Sequence, residues 1–270
     1  MPAILGIDAA WGPKAPSGVA LLAGSARAGR RGGWRVVALA PSVEGFLALA
    51  RGQPVNWRQG RCSGGPPEAA HLIAAARALC GEPIACVGMD MPLARSRVSG
   101  RRPCDNAIAR RFVGVHSPLP GRPGAHGRAW QAGFARQGFA LATAEGPAPA
   151  RALLEVYPHA AAMALLGLAR RYPYKVSRSA QYWPDLSRPE RARRLLENWR
   201  RLRAALAREL GPIPLPLPRV PPARLAALKR HEDALDALLC AWVAALYLEG
   251  RAEPFGDADS AIWAPRTAPR

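Results

Sequence analysis

Four aspartates in this chain have the type and placement to hold a hard cation. Asp233 and Asp236 lie three residues apart at the head of the apolar run 234-ALDALLCAWVAALYL-248, while Asp8 and Asp90 end the runs 4-ILGID-8 and 84-IACVGMD-90. An i, i+3 pair shares one helix face, and the same stripe continues through Cys240, Val243 and Tyr247, so both carboxylates point where the buried side chains point. Taking them out of water is costly without a cation or hydrogen-bond donors. A second reading makes Asp233 an N-cap and Asp236 a first-turn acid complementing the helix dipole. The upstream pattern favours the cation, because an apolar strand ending in Asp occurs twice. Carboxylates suit Mg²⁺ or Mn²⁺, which relieve the repulsion among clustered acids. Two such ions about 4 Å apart activate a water and stabilise the leaving oxygen in phosphodiester hydrolysis.

The elements that must position these acids follow from the pattern. The runs 3-AILGIDA-9, 18-GVALLAG-24 and 34-WRVVALA-40, separated by Gly, Pro and Ser, read as an antiparallel meander. An apolar stretch at 43–50 and a Gly-rich loop at 60–67 precede a helix over 68–79, and 83-PIACVGMD-90 is a strand covered on both faces. The helix returns the chain, so the fourth strand lies parallel to the first and brings Asp90 beside Asp8. Residues 91–150 are an Arg-, Gly- and Pro-rich insertion with helices at 103–112 and 128–141, where Asp105 serves as a helix N-terminal acid or arginine partner. A fifth strand, 152-ALLEVY-157, puts Glu155 on one face with Leu153 and Tyr157, and Pro158 opens the next helix. A basic helix at 189–210, a Pro-rich connector at 211–222, a helix beginning near Asp233 and a short edge strand within 257–265 complete a single domain over residues 1–270.

Composition sets the partner class. A formal charge of +19 and an isoelectric point near 11.3 favour a phosphate-rich partner, although an Arg- and Ala-rich, Lys-poor chain is also what GC-rich coding produces. The lysines are Lys14, Lys175 and Lys229 only. Five cysteines, Cys62, Cys80, Cys86, Cys104 and Cys240, have no CxxC spacing and read as small buried hydrophobes of a reducing compartment. With no leader-like N-terminus and no apolar stretch of membrane-spanning length, a soluble cytoplasmic protein is expected, with no membrane partner.

These residues carry a resemblance. The meander with 6-GID-8, the helix, the strand ending 88-GMD-90 and the late helix opened by 231-HEDALDAL-238 resemble the RNase H-like superfamily, and the paired helix acids are most similar to its RuvC-type branch. More closely, 5-LGIDAAWG-12, 88-GMDMPL-93, 155-EVYPHA-160, 174-YK-175 and 231-HEDALDALLCAWVAAL-246 resemble the domain-of-unknown-function 429 family, described as predicted nucleases. The resemblance implies an α/β fold with a mixed five-stranded RNase H-like sheet, flanking helices and a basic helical insertion. It further implies a nuclease acting on RNA or DNA with two Mg²⁺ or Mn²⁺ ions, metal ligands at Asp8, Asp90, Asp233 and Asp236, and Glu155 as an additional acid; RuvC-type enzymes usually carry Glu where Asp90 stands. Arg101, Arg110, Arg111, Lys175 and His231 are candidate substrate contacts, and Trp11, Trp130 and Trp183 candidate base-stacking residues. Two other classes remain: an actin- or sugar-kinase-like ATP-binding protein, against which stand the chain's length and the lack of a GxxxxGK[ST] loop, and a catalytically silent nucleic-acid-binding module.

Overall fold

The computed structural model describes residues 2–12, 15–24, 33–57, 68–114, 124–222 and 224–267. The Gly-rich loop at 60–67, Lys14 and Cys62 lie outside them. Three strands, β1 (Ala3–Asp8), β2 (Gly18–Gly24) and β3 (Trp34–Ala40), form the expected antiparallel meander, followed by α1 (Val43–Ala50), α2 (Ala69–Cys80) and β4 (Ile84–Met89). β4 pairs with β1 in parallel, with Gly6 opposite Gly88 and Ile7 opposite Met89, so Asp8 and Asp90 emerge side by side.

Next come α3 (Pro103–Arg111), α4 (Gly124–Ala135), β5 (Ala140–Leu141), β6 (Ala152–Val156) and α5 (Pro158–Leu165). The short α6 (Ser179–Tyr182), the long α7 (Arg188–Leu210), α8 (Lys229–Leu248), β7 (Ala252–Gly256) and β8 (Ala261–Pro265) close the chain. The sheet has eight strands, not five, in the order β3-β2-β1-β4-β6-β8-β7, with β5 also on β6. β8 is an interior strand, parallel to β6, rather than an edge; β7 takes the edge, where Pro254 is tolerated because it has no N–H to give a neighbour. The expected helix over 128–141 stops at Ala135, since the turn through Gly138, at φ +80°, redirects the chain into β5.

Strand alternation divides the core in two. Ile4, Ala20, Leu22, Cys86 and Leu154 face α5, α7 and α8, whereas Leu5, Ile7, Leu21, Val87, Met89 and Leu153 face α1, α2 and α4. α8 is buried from His231 to Leu246. It begins one turn before Asp233, entered through a 3₁₀ turn at Leu225–Leu228 with Leu228 at the cap position, so Asp233 is neither an N-cap nor the helix start. A Cβ on Gly18, Gly6 or Gly88 would stand 2.3, 2.1 or 2.3 Å from the carbonyl oxygens of Asp233, Ala237 and Cys240. These glycines form a diagonal track across β2, β1 and β4 into which the helix backbone sinks.

α7 lays Leu195, Leu196, Trp199, Leu202 and Leu206 on the core, and Ser187 with Glu190 caps its start. Its arginines partly serve structure: Arg203 donates to the Leu215 carbonyl at 2.8 Å and Arg200 to that of Pro218 at 3.0 Å, tying down the Pro-rich segment. Cys86, Cys104 and Cys240 are buried free thiols and Cys80 is half-buried. Among the described residues no helix is long and apolar enough to cross a membrane.

Candidate functional site

A cleft of about 880 Å³ opens at the carboxyl ends of β1 and β4, and Asp8, Asp90, Glu232 and Asp233 line it. The convergence is backbone-built. Asp8 shares the strand face of Ile4 and Gly6, and Asp90 that of Cys86 and Gly88, so both turn toward α8. There the glycine track brings Asp233 over Gly18, the residue paired with Asp8. Asp236 lies beneath, fully buried. Its Oδ1 accepts the Tyr174 hydroxyl at 2.7 Å and its Oδ2 accepts Lys175 Nζ. Lys229 Nζ donates to Asp233 and, at 2.8 Å, to Glu232. For Asp8 and Asp90 no side-chain hydrogen bond is found among the described residues.

Burial and mutual repulsion act together on this group. Burial, then Asp236 and Asp233, hold the Asp8 carboxyl well above its ordinary value. Burial pushes Asp90 up to about 7 against the pull of Lys175, with Asp236 adding to the rise. Burial lifts Asp233 to about 6 against Lys229, and raises Asp236 against Lys175. Burial pulls the Lys175 ammonium down, but Asp236 and Glu232 outweigh it and keep it firmly charged.

The walls are cationic. Arg171, Lys175 and Arg178 come from the segment before α6, Arg224 from the approach to α8, and Lys229 and Arg230 from its first turn, with Trp11, 44% exposed, at the lip. α7 positions the first segment. The Trp199 indole donates to the Tyr174 carbonyl at 2.8 Å, Asn198 Nδ2 to that of Pro173 at 2.7 Å, and the Tyr172 hydroxyl to Asn198 at 3.1 Å. The basic helix thus presents Lys175 through its buried face.

Other residues singled out in the sequence lie elsewhere. Glu155 sits on the opposite sheet face, level with Met89, where Arg102 grips both its oxygens at 2.6 Å and the Leu93 N–H reaches it at 2.7 Å. Arg102 also bonds Asp105, whose carboxylate accepts the Arg102 backbone N–H at 2.8 Å at the start of α3. Arg101, Arg110 and Arg111 belong to that same α3 region and do not line the cleft. His231 is buried, stacked on Trp57 at 5.5 Å and Trp199 at 6.3 Å, and burial with Arg230 pushes it down to about 4. Trp130 is core, stacked on Phe134, and Trp183 is half-buried beside Tyr182. Sequence reasoning missed Lys229, Glu232 and the arginines at 171, 178, 224 and 230. The signal for Lys229 is its i, i+4 spacing to Asp233.

As donors, hard carboxylate oxygens in excess over the two lysines suit a divalent cation such as Mg²⁺ or Mn²⁺. Among the described residues no three His, Cys, Asp or Glu side chains already stand grouped to hold one. The donor chemistry fits through Asp8 and Asp90, with Asp233 alongside.

Fold and site together define a mixed α/β protein with an acidic cleft at strand carboxyl ends, walled by cations. The chain belongs to the family described as Protein of unknown function (DUF429), which matches residues 6–261. Neither the curated proteins nor the solved structures contain a match to it.

Proposed function

We propose that this protein is a nuclease that hydrolyses phosphodiester bonds in RNA or DNA with Mg²⁺ or Mn²⁺. The observation that carries the reading is an acidic floor and cationic walls in a single cleft: Asp8, Asp90 and Asp233 below, Arg171, Arg178, Arg224 and Arg230 beside. Asp8 and Asp90, joined by Asp233, would hold the cation. When bound, it supplies a water acidic enough to attack near neutral pH and positive charge for the oxygens of the transition state. The chain's own share is to position. Asp8 and Asp90 are fixed by strand ends, Asp233 by α8, and the arginines supply bidentate donors to phosphate oxygens. The run β3-β2-β1-β4-β6 within the larger sheet, with α8 packed across it, supports an RNase H-like core for the same reading.

The cleft's volume also suits a single nucleotide, which favours ATP binding as a second reading. One experiment separates them. Structured and single-stranded RNA and DNA are incubated with Mg²⁺, Mn²⁺ or EDTA, using wild type and Asp8→Asn. The nuclease reading expects metal-dependent cleavage that falls by several orders of magnitude in Asp8→Asn while nucleic-acid binding persists. Asp8-dependent ATP turnover with every nucleic acid left intact would overturn it.

A further inference from the structure

We infer that the cleft takes one divalent cation, on Asp8 and Asp90, and that the Lys175 ammonium stands in place of a second by neutralising Asp236. This rests on the metal-dependent reading above and settles how many ions that reading needs.

The first ground is residue choice. Among 38 basic residues only three are lysines, and both that fall among the described residues, Lys175 and Lys229, sit in this cleft on helix aspartates. In a chain that otherwise uses arginine, the position beside Asp236 takes the side chain closest to a compact point charge. The second ground is that both oxygens of Asp236 are committed, Oδ1 to the Tyr174 hydroxyl at 2.7 Å and Oδ2 to Lys175. The side chain is fully buried and contributes nothing to the cleft surface, so a cation could reach it only by displacing the lysine. The third ground is that Lys175 is built in. Its side chain is 18% exposed, Glu232 lies 4.0 Å away on its other side, and its segment is bonded to α7 through Pro173 and Tyr174. Lys229, with 48% of its side chain exposed, is the looser of the two and leaves Asp233 able to turn to a cation.

The test counts ions without reference to activity. Full-length protein is titrated with Mn²⁺ and free ion is followed by electron paramagnetic resonance. Wild type is expected to bind one ion per chain, lost in Asp8→Asn. Lys175→Met frees Asp236 and raises the count to two, and the double variant Lys175→Met, Asp236→Asn returns it to one. Because Lys175→Met leaves a buried carboxylate unpaired and risks unfolding, the wild-type count and the double variant carry the test on their own. Two ions on the wild type, or two on the double variant, would overturn the inference and leave the metal-dependent reading standing. No ion on any of the proteins would overturn both.

Discussion

Replacing Asp90 by Asn should stabilise the metal-free protein at alkaline pH and do nothing in acid. The carboxyl is pushed from an ordinary 3.8 up to about 7, chiefly by burial, with Asp236 adding repulsion. A raised acid binds its proton more tightly in the folded state than in the unfolded one. The folded state therefore holds the extra proton between about pH 4 and pH 7, and stability is lost as pH rises through that window. At ~1.4 kcal/mol per pH unit the interval caps the effect near ~4 kcal/mol. Asp90 is only half-buried at the cleft, and solvent screening cuts this to ~2 kcal/mol. For a chain of this length that is about 4–8 °C in Tm at pH 8. Asn keeps the shape and removes the charge. Thermal and urea unfolding in EDTA, from pH 4 to pH 9, should show the wild type losing stability across the window and Asp90→Asn following a shallower slope, the two converging at pH 4. A variant less stable than wild type at pH 8, or a difference that ignores pH, would refute the account of a repulsive, desolvated cluster.

Three more outcomes are expected. Gly6→Ala places a Cβ 2.1 Å from the Ala237 carbonyl and 2.5 Å from the Ala241 nitrogen, both backbone, so it should cost about 1–3 kcal/mol or more in urea unfolding and weaken Mn²⁺ binding as α8 lifts. Arg102→Met takes the guanidinium from both oxygens of buried Glu155 and should destabilise by about 3–5 kcal/mol, with a large part recovered when Glu155→Gln is added, as read by the same unfolding curves. If the cleft arginines hold phosphates, Arg178→Ala and Arg224→Ala should each reduce the salt slope of oligonucleotide binding by about one, whereas Arg110→Ala and Arg111→Ala leave it unchanged.

The parallel pairing of β1 with β4 was legible because each is a nearly continuous apolar run and a helix lies between them. That pairing alone brought Asp90 beside Asp8 at the strand ends. Period-two alternation grouped Glu155 with Leu153, yet which side of the sheet faces the late helix is decided by tertiary packing that no local pattern carries. The glycines at 6, 18 and 88 were visible as glycines, while the backbone they admit lies some 150 residues or more further along the chain. Lys229 was hidden by starting the helix at Asp233, because an unconventional cap, Leu228 after a 3₁₀ turn, left no start signal. The cationic walls were obscured for a different reason. They are scattered over two short segments, whereas the conspicuous arginine runs around α3 and along α7 serve an internal ion pair, carbonyl caps and exposed faces.

The glycine track has a consequence for how such a cleft could change over time. At Gly6, Gly18 and Gly88 the sheet puts no side chain against the helix, so the spacing of the acids is set by close backbone contact there, and a substitution at these three positions has no intermediate sizes to pass through. The arginines at 171, 178 and 224, by contrast, stand at the rim, and their charges can be exchanged without touching that contact. Divergence among chains of this architecture should therefore be concentrated in what the cleft admits, with the placement of its carboxylates inherited almost unaltered.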